Sequence, residues 1–514
     1  MLNILLLAVF LASCCVACQY QYHMFQLNSY QAPTQLRWLR QHWKSAWLLR
    51  SILLLLPLPF LGVPSIATPL AAGVFALNGW LCRPRAAKKP LVYTPRVKRM
   101  LATNAILLVL VAGAAWRFAP GLRLLLLLAV YTLAPLWPML ANAINSPMEK
   151  AINRWYINDA KRMIDAMPDL LVIGVTGSYG KTSVKHYLGK LLSAKYNVLI
   201  TPESYNTTLG VVKTIRTSLT PVHQIFVCEM GAKGLGEIKE ICDIVHPDLG
   251  IITSIGPQHL ESFGSIENII KTKFELADAL PSGGTVFLNY GNEYIRARAC
   301  ANPVVSYGVD NAALDYSAHI TAVSAAGSEF TLRTPQESLQ YTTRLIGAHN
   351  VENIAGAIAV ARFLGVLPGD IAIGVRRLES VPHRLQLISR AGGDIIIDDA
   401  YNSNTSGVKA ALDALALFDG VKILVTPGMI ELGDAHEKYN RIFGTQAAAV
   451  CDYVVLVGKA QTVPIYNGLL DENFDSQRIL VADSLQQGFA WIAQLPVQGR
   501  QKIILLENDL PDNY

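Results

Sequence analysis

The stretch "LLVIGVTGSYGKTSVKHYLGKLL" (170–192) decides the fold, because an apolar run passes through a glycine-rich turn into a segment with helical spacing. Lys181 and Thr182 open that segment. A strand, a turn and a helix in this order form a cradle for anions, since backbone N–H groups and the helix dipole favour negative charge there. The usual phosphate loop is G-x-x-x-x-G-K-[ST], whereas Val175 lies five residues before Gly180. The Lys-Thr pair nevertheless favours a phosphate loop over simple turn chemistry.

Seven further apolar runs of this kind end in glycine or polar residues. They are "NVLITP" (197–202), "QIFVCEMG" (224–231), "LGIITSIG" (249–256), "IIIDDAYN" (395–402), "KILVTPG" (422–428), "YVVLVGK" (453–459) and "KIILLEN" (502–508). Continuous apolar runs are typical of strands that are buried on both faces of a parallel sheet. Helical stretches lie between them, which predicts an α/β fold with mostly parallel sheets. An alternating segment at 317–345 predicts an antiparallel patch.

The composition indicates a membrane part. Only 16% of the 514 residues are charged and 52% are hydrophobic, whereas soluble domains contain about 25% charged residues. A membrane span needs about 20 apolar residues. Five apolar runs predict five spans, at 2–19, 47–63, 66–82, 101–117 and 122–145. The eight cysteines show no paired C-x-x-C spacing, so we expect no cysteine metal site.

Basic loops predict the orientation of the spans. The loop after the first run carries three basic residues, with Arg50 at the start of the second run, the loop after the third run carries seven, and the loop after the second carries none. Because basic loops stay in the cytoplasm, we expect an external N-terminus and a cytoplasmic chain after 146. The expected location is the cytoplasmic membrane, with several spans and a cytoplasmic catalytic part. The alternative is a lipoprotein cleavage site at "LASC" (11–14), but "MLN" supplies no positive charge before it.

Polar side chains follow the predicted strands at the edge where open α/β sheets bind ligands. We expect Lys181 to reach the β- and γ-phosphates of a nucleotide and Thr182 to bind Mg²⁺. Glu229 ends an apolar run, and a buried carboxylate there needs a partner such as a metal ion. A solvated strand end is the alternative for Glu229. His259 follows the next run, at the same predicted edge.

"GVTGSYGKTS" (174–183) resembles the shortened T-G-[TS]-x-G-K-[TS] loop of the Mur ligases, the ATP-dependent amide-forming enzymes of peptidoglycan precursor synthesis. The resemblance continues through six ordered segments. They are "CEMGAKGLGEI" (228–238), "IGPQHLESFGSIENIIKTKFE" (255–275), "LIGAHNVENIAGAIAVA" (345–361), "VPHRLQL" (381–387), "DDAYNSN" (398–404) and "VTPGMIELGDAH" (425–436). Together they look most like the branch that adds D-alanyl-D-alanine to a UDP-N-acetylmuramoyl tripeptide.

The resemblance implies the cofactors ATP and Mg²⁺ and a role for each matched position. The implied catalytic residues are Lys181, Glu229, His259, Lys273 and Arg384. The implied nucleotide contacts are Gly177, Ser178, Gly180, Lys181, Thr182, Ser183, Asn350, Asn353, Arg384, Asp398 and Tyr401. The implied metal ligands are Thr182, Glu229, His259 and a carbamylated Lys273. The apolar runs predict a transmembrane region (1–148) of about five helices and a linker (149–169), and the resemblance implies a central ATP-binding domain (170–382) and a Rossmann-like C-terminal domain (383–514).

The sequence also departs from the family pattern. No soluble stretch long enough for the family's UDP-sugar domain precedes the loop, and Thr405 replaces a proline of this branch. The hypothesis is therefore a membrane-anchored, ATP-dependent ligase that joins an amino acid or D-alanyl-D-alanine to an acceptor on a nucleotide or lipid carrier. A wall-synthesis complex is an expected partner, and nucleic acid is not. The alternatives are a Mur-type ligase with another substrate, and a catalytically weak membrane scaffold or regulator.

Overall fold

The computed structural model describes residues 2–44, 49–83, 90–118, 121–389, 393–400, 405–430, 432, 435–496 and 499–509. Two compact units divide the chain, Met1–Trp155 and Tyr156–Leu510. The division falls inside one helix, Trp137–Asp165. The predicted linker at 149–169 is therefore helical through Asp165.

The first unit is helical. Its helices are α1 (Leu2–Leu27), α2 (Ala32–Gln41), α3 (Leu49–Leu53), α4 (Pro64–Leu81), α5 (Pro95–Phe118), α6 (Arg123–Thr132) and the start of α7 (Trp137–Asp165), with 3₁₀ turns at Leu58–Phe60 and Ala134–Leu136. Apolar side chains of α1, α4, α5 and α6 form its core, among them Phe10, Phe75, Leu108 and Leu128. Many large apolar side chains on the same helices face outward.

Two helices of the described residues are long and apolar enough to cross a membrane, Ile4–Leu27 and Pro95–Arg117. A third candidate exists if Arg123–Thr132 and Ala134–Asp165, which are bent by 50°, count as one span. The described residues thus offer two or three candidate spans where the sequence predicts five. The run at 47–63 contains two prolines, which interrupt helices, and gives only short helical pieces. The run at 66–82 gives α4, which has Pro69 inside it and is not among the candidates.

A nine-stranded sheet organises the first half of the second unit, in the order β2-β3-β1-β4-β5-β6-β7-β8-β9. The strands are β1 (Leu171–Thr176), β2 (Val198–Ile200), β3 (Ile225–Glu229), β4 (Leu249–Ile252), β5 (Thr285–Asn289), β6 (Val304–Val309), β7 (Tyr316–Ser324), β8 (Gly327–Arg333) and β9 (Ser338–Thr343). Pairings from β2 to β7 are parallel, while β7-β8 and β8-β9 are antiparallel. Both the parallel sheet and the antiparallel patch are confirmed.

Helices cover both faces of this sheet. They are α8 (Lys181–Leu192), α9 (Thr208–Ser218), α10 (Glu237–Val245), α11 (Leu260–Phe263), α12 (Ile266–Asp278), α13 (Glu293–Arg296), α14 (Ala348–Phe363) and α15 (Pro368–Arg376). On one face, α8 and α14 bury residues such as Leu188 and Ile358 against the strands. On the other, α9, α10 and α12 bury residues such as Ile241 and Phe274. The strands β1, β3 and β4 are parallel neighbours, so their carboxyl ends lie together at one edge of the sheet.

A six-stranded sheet follows, in the order β10-β11-β15-β12-β13-β14. Its elements are β10 (Gln386–Ser389), β11 (Ile395–Asp399), α16 (Thr405–Ala416), β12 (Val421–Thr426), α17 (His436–Ala448), β13 (Tyr453–Val457), α18 (Val463–Asp471), a 3₁₀ turn (Ser476–Arg478), β14 (Ile479–Ala482), α19 (Leu485–Gln494) and β15 (Lys502–Glu507). Only the pairing of β10 with β11 is antiparallel among the described pairs. The predicted second α/β domain is confirmed as a fold.

Candidate active site

The glycine-rich turn between β1 and α8 packs so closely that two of its positions require glycine. Gly177 has φ +151° and Gly180 has φ +80°, values that favour glycine. A Cβ atom on Gly177 would lie 2.2 Å from Thr253 Oγ1, and one on Gly180 would lie 2.5 Å from Asn353 Oδ1. Asn353, a predicted nucleotide contact on α14, thus lies against the turn.

Hydrogen bonds from the end of β4 hold the turn in place. The Ser178 amide donates to the Ser254 carbonyl at 2.6 Å, and its hydroxyl donates to the Gly256 carbonyl at 3.1 Å. The Thr253 hydroxyl donates to the Thr176 carbonyl at 3.2 Å. Because these bonds join adjacent strand ends, the turn has a defined shape before any ligand is bound.

Lys181 is the first residue of α8 and its side chain folds back over the turn. Its ammonium donates to the carbonyls of Gly177, at 2.8 Å, and Ser178, at 3.0 Å. Burial lowers the pKa of Lys181 to about 8, while the Glu229 carboxylate opposes this shift and the Arg384 guanidinium adds to it. The cation therefore lies inside the cradle where an anion would bind.

Glu229 is fully buried at the end of β3, so it is not a solvated strand end. Its Oε1 accepts hydrogen bonds from Thr182 Oγ1 at 3.1 Å and Asn206 Nδ2 at 2.9 Å. Its Oε2 lies 3.0 Å from Lys185 Nζ, and both side chains of this ion pair are 0% exposed. Burial raises the pKa of Glu229, but Lys185, Lys181 and the Asn206 amide outweigh it and hold the pKa below its usual value.

Lys273 lies on α12 and is 3% exposed. Burial lowers the pKa of its ammonium to about 7, and the charge of Lys181 acts in the same direction. Its Nζ lies 5.7 Å from the centre of the Phe263 ring. His259 is the N-cap of α11 and has φ +52°, and its carbonyl accepts a hydrogen bond from the Ser262 hydroxyl. A lysine with a pKa of about 7 is about half neutral amine near pH 7 and mostly neutral above it.

Two parts of the sequence match known domain families. Residues 175–361 match the Mur ligase middle domain, and residues 383–506 match the family described as Mur ligase, glutamate ligase domain. The chain belongs to the Mur ligase family. The two matched regions correspond to the nine-stranded and the six-stranded sheets, so the Mur ligase fold begins at the phosphate-loop strand.

Curated Mur ligases that are similar to this chain include the UDP-N-acetylmuramoyl-tripeptide–D-alanyl-D-alanine ligases of Escherichia coli K12 and Bacillus subtilis 168, both 34% identical. The first alignment covers 56% of this chain and 64% of the relative, and the second covers 53% and 59%. The chain thus spans less than two thirds of the length of these relatives. The crystal structure of MurF from Acinetobacter baumannii is similar with a TM-score of 0.64 and 28% identity, over 70% of this chain and 77% of that chain.

The oxygen atoms of Thr182 and Glu229 fit one Mg²⁺ ion. They lie 3.1 Å apart, and Mg²⁺ in phosphate sites takes one or two carboxylates and completes its shell with water and phosphate oxygens. Within the described ranges, no group of three or more His, Cys, Asp or Glu side chains is arranged to hold a metal. The protein atoms alone therefore offer a partial shell, which a nucleotide's phosphates would complete.

The other predicted nucleotide contacts are held by neighbouring protein atoms. Asn350 accepts from the Tyr187 hydroxyl at 2.8 Å and donates to the Ile346 carbonyl at 2.9 Å, so its amide is engaged within the domain. Asp398 Oδ2 lies 2.8 Å from His383 Nδ1, a histidine that sequence reasoning did not select. Ser183 lies beside Tyr187 on α8, where their side chains form a hydrogen bond. Tyr401 lies outside the described residues.

Arg384 belongs to the second Mur ligase domain, and its charge affects Lys181 in the phosphate loop. Its charge lowers the pKa of Lys181 and, together with burial as the larger cause, lowers the pKa of His349 to about 4. The structure thus brings Arg384 and Lys181 into one electrostatic environment. For an anion, two cations from two domains form a stronger site than either alone.

Lys185 and Asn206 complete the site, and sequence reasoning missed both. Lys185 follows Lys181 by one helical turn, and positions four apart share a helix face. That spacing was the signal for Lys185. Asn206 lies before α9 and contacts Glu229 only through the tertiary fold, so no local pattern indicates it.

Proposed function

We propose that this protein is a membrane-attached ligase of peptidoglycan precursor synthesis that uses ATP and Mg²⁺ to form an amide bond. The observation that carries the proposal is the convergence of Lys181, Thr182 and Glu229 at the carboxyl ends of β1 and β3. The Thr182 hydroxyl is bonded to a fully buried carboxylate in this group. The names of the similar E. coli and B. subtilis ligases support the reaction class.

In the proposed reaction, a carboxylate of the acceptor attacks the γ-phosphorus of ATP, forming an acyl phosphate and releasing ADP. An amine then attacks the acyl carbon, and inorganic phosphate leaves as the amide forms. Bound Mg²⁺ would neutralise phosphate charge from the Thr182 and Glu229 side. Catalysis of the phosphoryl step depends on positioning and charge neutralisation rather than on covalent chemistry by the protein.

The chain's own residues would act on the phosphates as follows. Lys181 exchanges the carbonyls of Gly177 and Ser178 for phosphate oxygens, and the amides at the start of α8 donate to the same group. Arg384 supplies a second positive charge from the other domain. Lys185 and Asn206 hold the Glu229 carboxylate in one orientation.

We also propose that Lys273 functions as a carbamate. A neutral amine is the form that reacts with CO₂, and the buried Lys273 has a pKa of about 7. The product carries negative charge and is able to join a second metal position with His259. The Lys273→Ala protein should then be nearly inactive, and formate or acetate should partly restore it. Full activity of that variant would refute the carbamate.

For the acceptor, we propose a nucleotide-linked muramoyl tripeptide, with D-alanyl-D-alanine as the amine. The names of the similar ligases support this choice. A lipid-linked acceptor is the second candidate, because two helices are able to span a membrane. An anchored enzyme meets a lipid-linked substrate at a raised effective concentration within the same layer.

We propose that the first unit crosses the cytoplasmic membrane three times, with the second unit in the cytoplasm. The segment 28–94, between α1 and α5, carries eight basic residues and no acidic residue, which keeps it inside. The helix α1 then runs inward, α5 runs outward, and the bent pair of α6 and α7 returns. A cytoplasmic second unit has access to ATP.

The test is a turnover assay of the purified full-length protein with ATP, Mg²⁺ and D-alanyl-D-alanine. The UDP-linked tripeptide and its lipid-linked counterpart are supplied separately, and both ADP and the mass of the product are measured. Product from the UDP-linked form supports the proposal, and product only from the lipid-linked form supports the second candidate. ATP turnover with neither product would show a different substrate. Absence of any ATP turnover would refute the ligase and favour a scaffold.

A further inference from the structure

A row of polar side chains joins α5 and α7 in the first unit. Arg96 Nη2 donates to Asn142 Oδ1 at 2.8 Å, and Thr103 Oγ1 donates to Asn145 Oδ1 at 2.8 Å. A bidentate ion pair between Arg99 and Glu149 completes the row, with N···O distances of 2.7 and 2.8 Å. The polar seam is defined by six residues, Arg96, Arg99, Thr103, Asn142, Asn145 and Glu149.

The charge of the polar seam is not balanced within its own unit. Residues 1–155 contain fifteen lysines and arginines but one acidic residue, Glu149. Glu149 is 7% exposed and both of its carboxylate oxygens accept from Arg99. Residues 1–155 contain no other carboxylate for Arg96, so within this stretch the seam keeps a net positive charge.

The Arg96 side chain is arranged to hold an anion. Its guanidinium lies 4.2 Å from the centre of the Tyr30 ring and donates to the neutral Asn142 amide. Its Nε is buried and has no acceptor among the residues that the structure describes. A guanidinium prefers a planar pair of acceptors from a carboxylate or a phosphate, and the one carboxylate in residues 1–155 is paired with Arg99.

Unsatisfied amides lie farther along the same two helices. Asn104 is 3% exposed, and within the described ranges neither its Nδ2 nor its Oδ1 has a partner. Asn145 is 6% exposed, and its Nδ2 likewise lacks an acceptor there. Asn104 shares a buried face of α5 with Met100 and Leu108. Buried polar groups without partners are costly, so each of them requires an explanation.

We propose that the polar seam binds the headgroup of an anionic membrane lipid, with the lipid phosphate on Arg96. Phosphate oxygens accept from the guanidinium, including the Nε that has no acceptor among the described residues. The seam occupies the first turns of α5, next to exposed Lys98, which is where lipid headgroups meet a span that begins at a basic segment. The proposal rests on the membrane placement given above.

Helix pairing alone does not account for the seam. The Thr103–Asn145 bond and the Arg99–Glu149 pair join the two helices, as polar residues do in membranes. They leave Arg96 Nε, the whole Asn104 amide and Asn145 Nδ2 unused. A structural role predicts that removing the Arg96 guanidinium changes stability only, whereas a lipid site predicts a loss of lipid affinity.

The test uses the full-length protein, freed of lipid in a neutral detergent and titrated with phosphatidylglycerol by native mass spectrometry. Arg96→Gln should weaken binding about tenfold or more. Lys98→Gln is the matched control on the same helix and should change affinity less than about twofold. If Arg96→Gln fails to fold, Arg96→Lys replaces it and should weaken binding, because a lysine lacks the planar fork.

Three results would overturn the proposal. Equal losses in the Arg96 and Lys98 variants would show diffuse charge rather than a site. Equal competition by inorganic phosphate would show a soluble anion as the ligand. Wild-type protein that binds no phosphatidylglycerol would exclude the lipid. The ATP turnover assay measures the activity of the second unit, whereas lipid titration measures binding to the first. Failure of the lipid site and failure of the proposed ligase are therefore distinguishable.

Discussion

At the residue scale, the central feature is a carboxylate that is held by two lysines and two neutral donors. Glu229 contacts Lys185, Thr182 and Asn206 directly, and Lys181 through its charge. The sequence indicated Glu229 and Lys181 because each ends or begins a regular element. It did not indicate the pairing of Lys185 with Glu229, since that contact joins residues far apart in the chain and follows only from the packing of α8 on β3.

Replacing Lys181 tests the phosphate loop. Lys181→Ala removes a preorganised charge, and we expect ligase activity to fall on the order of 10²-fold or more. Lys190→Ala, on an exposed position of the same helix, should retain full activity. Initial rates of ADP release measure both. Wild-type rates in the Lys181 variant would exclude this loop from catalysis.

Replacing Lys185 tests the buried ion pair. Removing one partner of such a pair destabilises a protein by about 3–5 kcal/mol, because the other charge stays buried. Lys185→Met should therefore lower the unfolding temperature, and adding Glu229→Gln should restore much of it without restoring activity. Lys239→Met, which breaks an exposed pair with Asp243, is the control and should leave the temperature unchanged. An equally stable Lys185→Met protein would contradict the ion pair.

The buried Lys273 predicts a pH dependence of stability. Its folded pKa is about 7 and an unfolded lysine has a pKa of about 10.4. Between these values the unfolded chain binds more protons, so Lys273 destabilises the fold at low pH and stability rises with pH. The slope is at most about 1.4 kcal/mol per pH unit. In CO₂-free buffer from pH 7 to 9, Lys273→Met should show a smaller rise in unfolding temperature than Lys271→Met. Identical slopes would exclude a depressed Lys273 pKa.

At the element scale, sequence patterns predicted the strands well and the membrane helices poorly. A strand such as β3 is apolar at every position before Glu229, and continuous burial on two faces explains that pattern. The apolar run at 47–63 is equally hydrophobic, but Pro57 and Pro59 prevent a continuous helix. Apolar content therefore predicted which segments are buried. The positions of the prolines determined how long the apolar helices are.

The close packing of the turn between β1 and α8 predicts that Gly180 cannot be replaced without loss of nucleotide binding. A Cβ there meets Asn353 and requires an unfavourable φ of +80°. Gly180→Ala should weaken nucleotide binding, and adding Asn353→Ala should relieve the contact but not the backbone strain, about 1 kcal/mol. Gly369→Ala, which meets open space, is the control. Binding of a fluorescent ATP analogue measures the effect, and normal affinity in Gly180→Ala would refute the close packing of the turn.

At the scale of the whole molecule, the proposed topology rests on the basic segment between α1 and α5. With that segment inside, the three proposed spans place the second unit beside cytoplasmic ATP. A reporter that is active in the cytoplasm should be on after Tyr514 and off near Gly121. A cytoplasmic signal at Gly121, or an external one at Tyr514, would overturn the three-span topology and the access to ATP.

The bonds from Lys181 to the Gly177 and Ser178 carbonyls have a further consequence, for the kinetics of nucleotide capture. The lysine occupies the cradle as an internal substitute for its ligand, so the empty turn keeps its shape and little chain entropy is lost when a nucleotide arrives. Association then requires the exchange of two hydrogen bonds rather than the folding of a loop. Such a site binds nucleotide with a high association rate, and its selectivity among nucleotides is set by the dissociation rate.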